Sequence, residues 1–186
     1  MDHQLHLVER AKRGDHDAFA ALATASARRL LGASRLILGS PELAQDATQD
    51  ALIRAWRDLP ALRDPARFDA WLHRLTVNAC LDIARRRRRR PAEVDLAYFD
   101  ATIGDQASQL ADRQLLEQAL QELEPGWRAV IVLHYYLDLP LTEVAAALQI
   151  PVGTAKSRLN RSLVTLRTAL TGSDSAADSI REGQLA

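Results

Sequence analysis

Apolar residues recur every three to four positions along most of this chain, and strand-type alternation of β-branched residues is nearly absent, so the pattern predicts helices throughout. Leu7 to Leu31 reads as helix broken once, at GDHDAF, where Asp15 can cap a second helix carrying Phe19, Leu22 and Leu30. In SPELAQDATQDALIRAWRDL, Ser40 suits an N-cap with Pro41 at the first helical position, and Leu52, Trp56 and Leu59 fall at helical spacing. The opposite face of that helix, with Asp46, Gln49, Asp50, Arg54 and Arg57, is charged and expected to be exposed. Two prolines make PALRDPARF, residues 60 to 68, a loop. A long helix follows, with Phe68, Trp71, Leu72, Leu75, Ala79 and Ile83 as its apolar stripe and a run of arginines as its C-terminal end.

The pattern lapses after Pro91, where residues 91–111 lack a convincing period and read as a linker. A second helical module starts at Asp112, with Leu115, Leu116, Ala119, Leu120 and Leu123 on one face, and EPG at 124–126 breaks it. Trp127 to Tyr136 is a strongly apolar helix, and LDLPLTEVAAALQIPVGTAKSRLNRSLVTLRTAL gives two helices about a tight joint at Gln149 to Pro151, the helix-turn-helix pattern. Val144, Ala145 and Leu148 point inward from the first of these helices, and Ala155, Leu159, Leu163 and Leu166 from the second. Thr154, Lys156, Ser157, Arg158 and Arg161 project from the opposite side. The turn calls for a left-handed residue, where Gln149 costs on the order of 1 kcal/mol relative to glycine. Residues 172–186 are small and polar and are expected to be disordered. The expected architecture is therefore all-α, two small helical domains at 1–90 and 112–171 joined by an extended acidic linker.

Composition agrees: 47% hydrophobic and 26% charged residues belong to a globular chain, and only 8 glycines and 7 prolines interrupt it. Cys80 is the single cysteine, so an intramolecular disulfide and a multi-cysteine metal cage are excluded and a reducing cytoplasm is the expected compartment. The N-terminus lacks a signal-peptide core, and nowhere do 18 uninterrupted apolar residues occur, so no membrane association is expected. The formal net charge of zero conceals segregation. Residues 1–90 hold 17 Lys+Arg against 11 Asp+Glu, 91–111 hold four acids and no base, and 112–186 hold 7 bases against 9 acids. Within the last segment, Val152 to Leu170 contains Lys156, Arg158, Arg161 and Arg167 and no acid. Two basic patches separated by an acidic stretch are an electrostatic footprint of phosphate binding at two places.

The larger patch is six consecutive arginines, Arg85 to Arg90. Alone, such a run serves equally as a solvated arm or as a nucleic-acid patch. Its context is a helix whose preceding turns carry Trp71, Arg74 and Asn78, a mixture of aromatic, cationic and amide groups suited to holding unstacked bases beside a phosphate backbone. For Trp71 taken alone, core packing is the commoner role.

Three stretches carry a family resemblance. DATQDALIRAW resembles D-x-x-Q-E-x-F-x-x-x-W at Asp46, Gln49, Asp50, Leu52 and Trp56; FDAWLHRLTVNACLDIARRR resembles F-x-x-W-L-x-x-I-A-x-N-x-x-x-D-x-x-R; and IPVGTAKSRLNRSL resembles I-S-V-G-T-V-K-S-R-L-x-R-A. In that order they are similar to bacterial RNA polymerase sigma factors of the extracytoplasmic-function (ECF) group of the sigma-70 family, over about residues 7 to 171. The resemblance implies that Asp46, Gln49, Asp50, Arg54 and Trp56 dock on core polymerase, at the clamp helices of its largest subunit, with the flap as a further contact. It implies that Arg63, Arg67, Trp71, Arg74 and Asn78, with Arg85, Arg86 and Arg87, bind and melt the minus-10 element, Asn78 at the wedge position. The acidic linker would thread the polymerase cleft. Thr154, Lys156, Ser157, Arg158 and Arg161 would contact minus-35 duplex in the major groove. An anti-sigma protein is a candidate partner. Asp50 stands where the family has Glu, Leu52 where it has Phe, Pro140 where a capping Ser is common, and Gln149 where the turn has Gly.

Three functions compete at this point: a promoter-specificity subunit with no chemistry of its own, a stand-alone two-domain helix-turn-helix regulator, and an enzyme. No cluster at metal-ligand spacing, glycine-rich phosphate loop or nucleophile elbow occurs in the sequence, so no catalytic residue, metal, cofactor or small-molecule substrate is expected.

Overall fold

The computed structural model describes residues 2–89 and 107–183, with side-chain environments from 3 to 89 and from 114 to 171. Every element among the described residues is helical. Helix α1, Asp2–Lys12, meets α2, His16–Leu38, at a turn where the Asp15 carboxylate accepts from the Ala18 amide at 3.0 Å. That bond and the adjacent Arg10 guanidinium hold the Asp15 carboxyl below the usual carboxylate range. Gly39 ends α2 in the left-handed conformation, φ 69°, and a Cβ there would overlap the Gln121 side chain, so the position needs glycine twice over. Ser40 caps α3, Pro41–Asp58, as expected.

Two 3₁₀ turns, Leu59–Ala61 and Pro65–Arg67, occupy the expected loop before α4, Phe68–Arg89. The face that α3 buries differs from the sequence expectation: Ala44, Ala47, Thr48, Ala51 and Ala55 are buried, while Leu52 and Trp56 are half-exposed. Small side chains let α2, α3 and α4 approach closely, and the large ones are left to line a groove on the outside. The α4 seam likewise runs through Phe68, Leu72, His73, Thr76, Val77, Ala79 and Cys80, with Trp71 half-buried.

In the second half, α5, Ala107–Gln121, begins inside the stretch assigned to the linker. The rest of that linker lies outside the described residues. Helix α6, Pro125–Ile131, runs into a π-helical turn, Val132–Tyr136, where a single straight helix was expected. The Leu137 amide then donates to the Val132 carbonyl at 3.0 Å and the His134 ring to the Leu139 carbonyl at 2.9 Å, while Asp138 takes φ 56°. Helix α7, Leu141–Leu148, starts at Pro140 without a side-chain cap. Gln149 is left-handed, φ 55° and ψ 43°, as the turn requires, and its amide and that of Ile150 close onto Ala146 and Ala145.

Helix α8, Val152–Gly183, buries Ala155, Leu159, Ser162 and Leu166, while Leu163 is 37% exposed and off the expected inner face. It continues as helix through the segment expected to be disordered from residue 172. Nothing between Ser173 and Glu182 stops it, because Ala, Ile, Arg and Glu tolerate helix and no proline intervenes. The two halves pack together: one buried cluster runs from Ala33, Ile37, Val77 and Cys80 to Val130, Leu133 and Val144. No described helix is long and apolar enough to cross a membrane.

Candidate functional site

Three surfaces carry the residues singled out in the sequence. The first is the loop and outer face of α4. Lys12 donates to the Leu62 carbonyl at 2.7 Å, Asp64 accepts from the Ala66 amide at 3.0 Å, and Gln4 donates to Asp69 at 2.7 Å, so the turns before α4 are pinned to α1. Arg63 and Arg67 project from this fixed frame and are exposed. Trp71, Arg74 and Asn78 follow along one side of α4 at spacings of three and four. Trp71 leans on Phe68 with ring centroids 6.0 Å apart and is half-buried, so it packs on the core and keeps part of its surface accessible. Arg74 is exposed and Asn78 half-buried. Arg85 to Arg89 are all exposed, though Arg85 pairs with Asp82 at 3.3 Å and Arg88 reaches Glu124 at 4.0 Å.

The second surface is a groove of about 700 Å³ between α2 and α3. Phe19, Leu31, Leu52, Ile53 and Trp56 make it apolar, and Gln45, Gln49 and Arg28 rim it. Trp56 is clamped by His16 at 4.5 Å and Phe19 at 5.0 Å between centroids. Asp46 and Gln49 are exposed. Asp50 and Arg54 pair with each other at 2.6 Å, and Arg54 extends to Asp82 at 3.4 Å, so this pair ties α3 to α4 as well as facing outward. Ile53, 59% exposed, was missed in the sequence because it falls between the charged positions of the outer face.

The third surface is the exposed side of α8. Lys156, Ser157 and Arg161 are exposed; the Ser157 hydroxyl donates to the Thr154 carbonyl at 3.0 Å. Thr154 and Arg158 are half-buried, and the Arg158 guanidinium turns back towards α6, 3.7 Å from where a Cβ on Gly126 would stand. At roughly 100° per residue, Gly153, Lys156, Ser157, Asn160 and Val164 share one face, with Arg161 at its edge and Arg158 on the far side. Asn160 is exposed on that face and went unrecognised, since its spacing from Lys156 signals a shared helix side only after the buried side is known. Beneath this module Arg128 is 7% exposed; burial pushes its guanidinium down to about 10, and it donates to Gln121.

Among the described residues no group of three or more His, Cys, Asp or Glu could hold a metal ion. An apolar groove, a cationic and aromatic helix face and a helix-turn-helix with an exposed basic side are means of binding. The comparisons with known proteins agree in order and extent. A family model for Sigma-70 region 2 matches residues 10–90, and one for Sigma-70, region 4 matches residues 113–166. The RNA polymerase sigma-H factor of Pseudomonas aeruginosa is 32% identical, over 88% of this chain and 92% of its own length. The ECF RNA polymerase sigma factor SigW of Bacillus subtilis is 30% identical, over 88% and 94%. Among solved structures, CnrH in complex with the cytosolic domain of CnrY superimposes with a TM-score of 0.67 at 28% identity, over 91% of this chain and 97% of that one. The sigma factor RpoE in complex with the anti-sigma factor NepR from Bartonella quintana shares the fold, with a TM-score of 0.69 at 24% identity over 82% and 96%. This chain belongs to the sigma-70 family, among the ECF RNA polymerase sigma factors.

Proposed function

We propose a division of labour within a sigma factor that binds core RNA polymerase and directs promoter-specific initiation. Residues 1–90 form the polymerase-binding and minus-10 domain, 112–171 the minus-35 domain, and 91–111 the connection that would thread the polymerase cleft. The observation that carries this reading is that one chain sets a preformed apolar groove on α2 and α3 back to back with a cationic, aromatic α4. A groove lined by Phe19, Leu52, Ile53 and Trp56 suits an amphipathic helical partner, with Gln49 on its polar rim and the exposed Asp46 one turn earlier on α3. On α4, Trp71 stacks an unpaired base, Asn78 wedges into the duplex, and Arg63, Arg67, Arg74 and the C-terminal arginines hold phosphates. The exposed side of α8 enters the major groove, with Lys156, Ser157, Asn160 and Arg161 facing DNA.

The protein supplies binding energy and positioning and no chemistry of its own, in the cytoplasm where polymerase works. An anti-sigma protein is a further partner, in keeping with the solved complex of RpoE and NepR. The test is transcription in vitro from purified protein and core enzyme. Promoter-specific transcripts are expected, with Asn78→Ala impairing open-complex formation more than closed binding. A protein that gives none, yet alone protects a palindromic duplex, is a conventional regulator.

A further inference from the structure

The loop assigned to the minus-10 element owes its shape to α1. Leu59 and Phe68, the two ends of the loop, are buried in one cluster with Val8 and Ala11 of α1. Between those anchors run the two 3₁₀ turns, joined by residues 62–64, which have no helix of their own. The Leu62 amide donates to the Leu59 carbonyl at 3.0 Å and closes the first turn, while the Asp64 carboxylate accepts from the Ala66 amide at 3.0 Å and opens the second. Both bonds are local. What fixes the joint relative to the rest of the domain is Lys12, whose ammonium donates to the Leu62 carbonyl at 2.7 Å across 50 positions of sequence.

Lys12 is itself firmly held. It is the last residue of α1, where the Arg13 and Gly14 amides fold back onto the Arg10 and Ala11 carbonyls at 3.0 Å each. One turn away Arg10 pairs at 2.6 Å with Asp15, the cap of α2. Lys12 is half-buried, so its charge-assisted bond to the carbonyl is partly shielded from water. Arg63, the next residue after the pinned carbonyl, is exposed, and so is the Asp64 that starts the second turn. A second tether lies further along: Gln4 donates to Asp69, in the first turn of α4, at 2.7 Å, and this one is exposed.

We infer that Lys12 is a positioning residue for minus-10 recognition: through the Leu62 carbonyl it sets where the 62–64 joint stands relative to Trp71, and so which base the loop accepts, without touching DNA itself. This rests on the assignment of the loop and α4 to the minus-10 element. Without the ammonium, water satisfies the freed carbonyl, and the buried anchors Leu59 and Phe68 keep the fold. The joint between them then turns more freely. Phosphate contacts by Arg63, Arg67 and Arg74 tolerate that freedom, whereas a base edge is told from its competitors only by a group held in place. Discrimination is therefore lost before affinity.

The test uses holoenzyme assembled from core polymerase and the full chain, with a duplex library of a promoter that the parent protein transcribes, randomised over its minus-10 element. Bound and unbound pools are sequenced. Lys12→Met keeps the stem and removes the ammonium. Discrimination at the minus-10 positions that the loop faces should fall by roughly fivefold or more, the low end of what one specific base contact supplies. Preference at other positions, affinity for core polymerase and melting temperature should stay as in the parent protein. Lys12→Arg, which keeps a charged donor, should restore most of the discrimination. Unchanged minus-10 preference in Lys12→Met would overturn the inference even alongside a lowered melting temperature, since Lys12 would then only brace the fold. An even loss across the library, with a salt slope shallower by about 0.9, would overturn it too, as the mark of a direct phosphate contact. A parent protein that transcribes no promoter with core polymerase fails the sigma-factor reading before any variant is compared, so the two failures are told apart.

Discussion

Arg158 turns its guanidinium back to the Gly126 end of α6, while Asn160, two residues later, stands exposed beside Lys156 on the outer face of α8. The basic residues of this helix are therefore not equivalent. Asn160→Ala is expected to cost about 1–3 kcal/mol of minus-35 binding and to relax base preference at one position, as an amide reading a base edge does. Lys156→Ala should weaken binding to all upstream sequences alike. Arg158→Ala should change duplex affinity less than either and lower thermal stability instead. Gel shifts on a panel of upstream duplexes, with melting curves of the same variants, separate the three.

In the proposed division of labour the arginines at the end of α4 act on phosphate and carry no sequence information. Arg86→Gln/Arg89→Gln removes two exposed cations, and the slope of log affinity against log salt should become shallower by about 1.8 for duplex promoter DNA. Rank order among promoters should stay as it is. A change in promoter preference would place base readout in the arginine run and remove it from Asn78 and the loop before it.

Much of this was legible from the chain alone, and the failures share a cause. Caps at Asp15 and Ser40, the proline-bounded loop and the left-handed Gln149 are local chemistry, decided within four residues, and each stands where the pattern placed it. The inner face of α3 was misread because the eye weights leucine and tryptophan, whereas three helices crossing closely bury alanines and expel Leu52 and Trp56 to the groove. Leu163 was misplaced for a related reason: the phase of α8 is set by what α5 to α7 leave open, a tertiary fact. The contact of Tyr136 with Gly32 was invisible, since the two are 104 positions apart and neither belongs to a recognised motif.

The groove gives a prediction that does not involve DNA. Ile53 is 59% exposed and packs against little in the free chain, so Ile53→Glu should leave the stability, read from thermal melting, within about 0.5 kcal/mol of the parent protein. It places a charge in an apolar trough, and affinity for core polymerase should fall at least tenfold, about 1.4 kcal/mol. Competition for core enzyme against a second sigma factor measures this. Unchanged affinity would move the polymerase contact elsewhere on α3.

His73 is 8% exposed, its Nδ1 has no hydrogen-bond partner, and burial lowers its pKa, with Asp69 opposing and Arg29 reinforcing the shift. The unfolded chain therefore binds a proton at a pH where the folded chain does not, so stability rises with pH across that interval. The stabilisation is present above the ordinary value of 6.5 and is lost as pH falls from there through the lowered folded value. Melting temperature should drop between pH 7.5 and pH 5.5, and His73→Phe should flatten that part of the profile. Equal slopes in the two proteins would mean other groups set the acid limb.

Gln149 holds a backbone conformation that a side chain disfavours, φ 55°, at the one joint that fixes α7 against α8. Gln149→Gly removes that strain but also loosens the unfolded chain, and the two effects oppose each other. Left-handed strain costs about 1–2 kcal/mol and the added entropy about 0.4–1 kcal/mol, so at the midpoints of these ranges strain relief prevails by about 0.8 kcal/mol. For a chain of this length that is an increase in melting temperature of about 2–4 °C. Gln149→Val should go the other way, because a β-branched residue is worse still in that region. Because the joint sets the angle at which α8 leaves α7, minus-35 affinity should follow stability only weakly in the glycine variant. A loss of affinity with a gain in melting temperature would mean that the strained glutamine is retained to hold the recognition helix at a chosen angle.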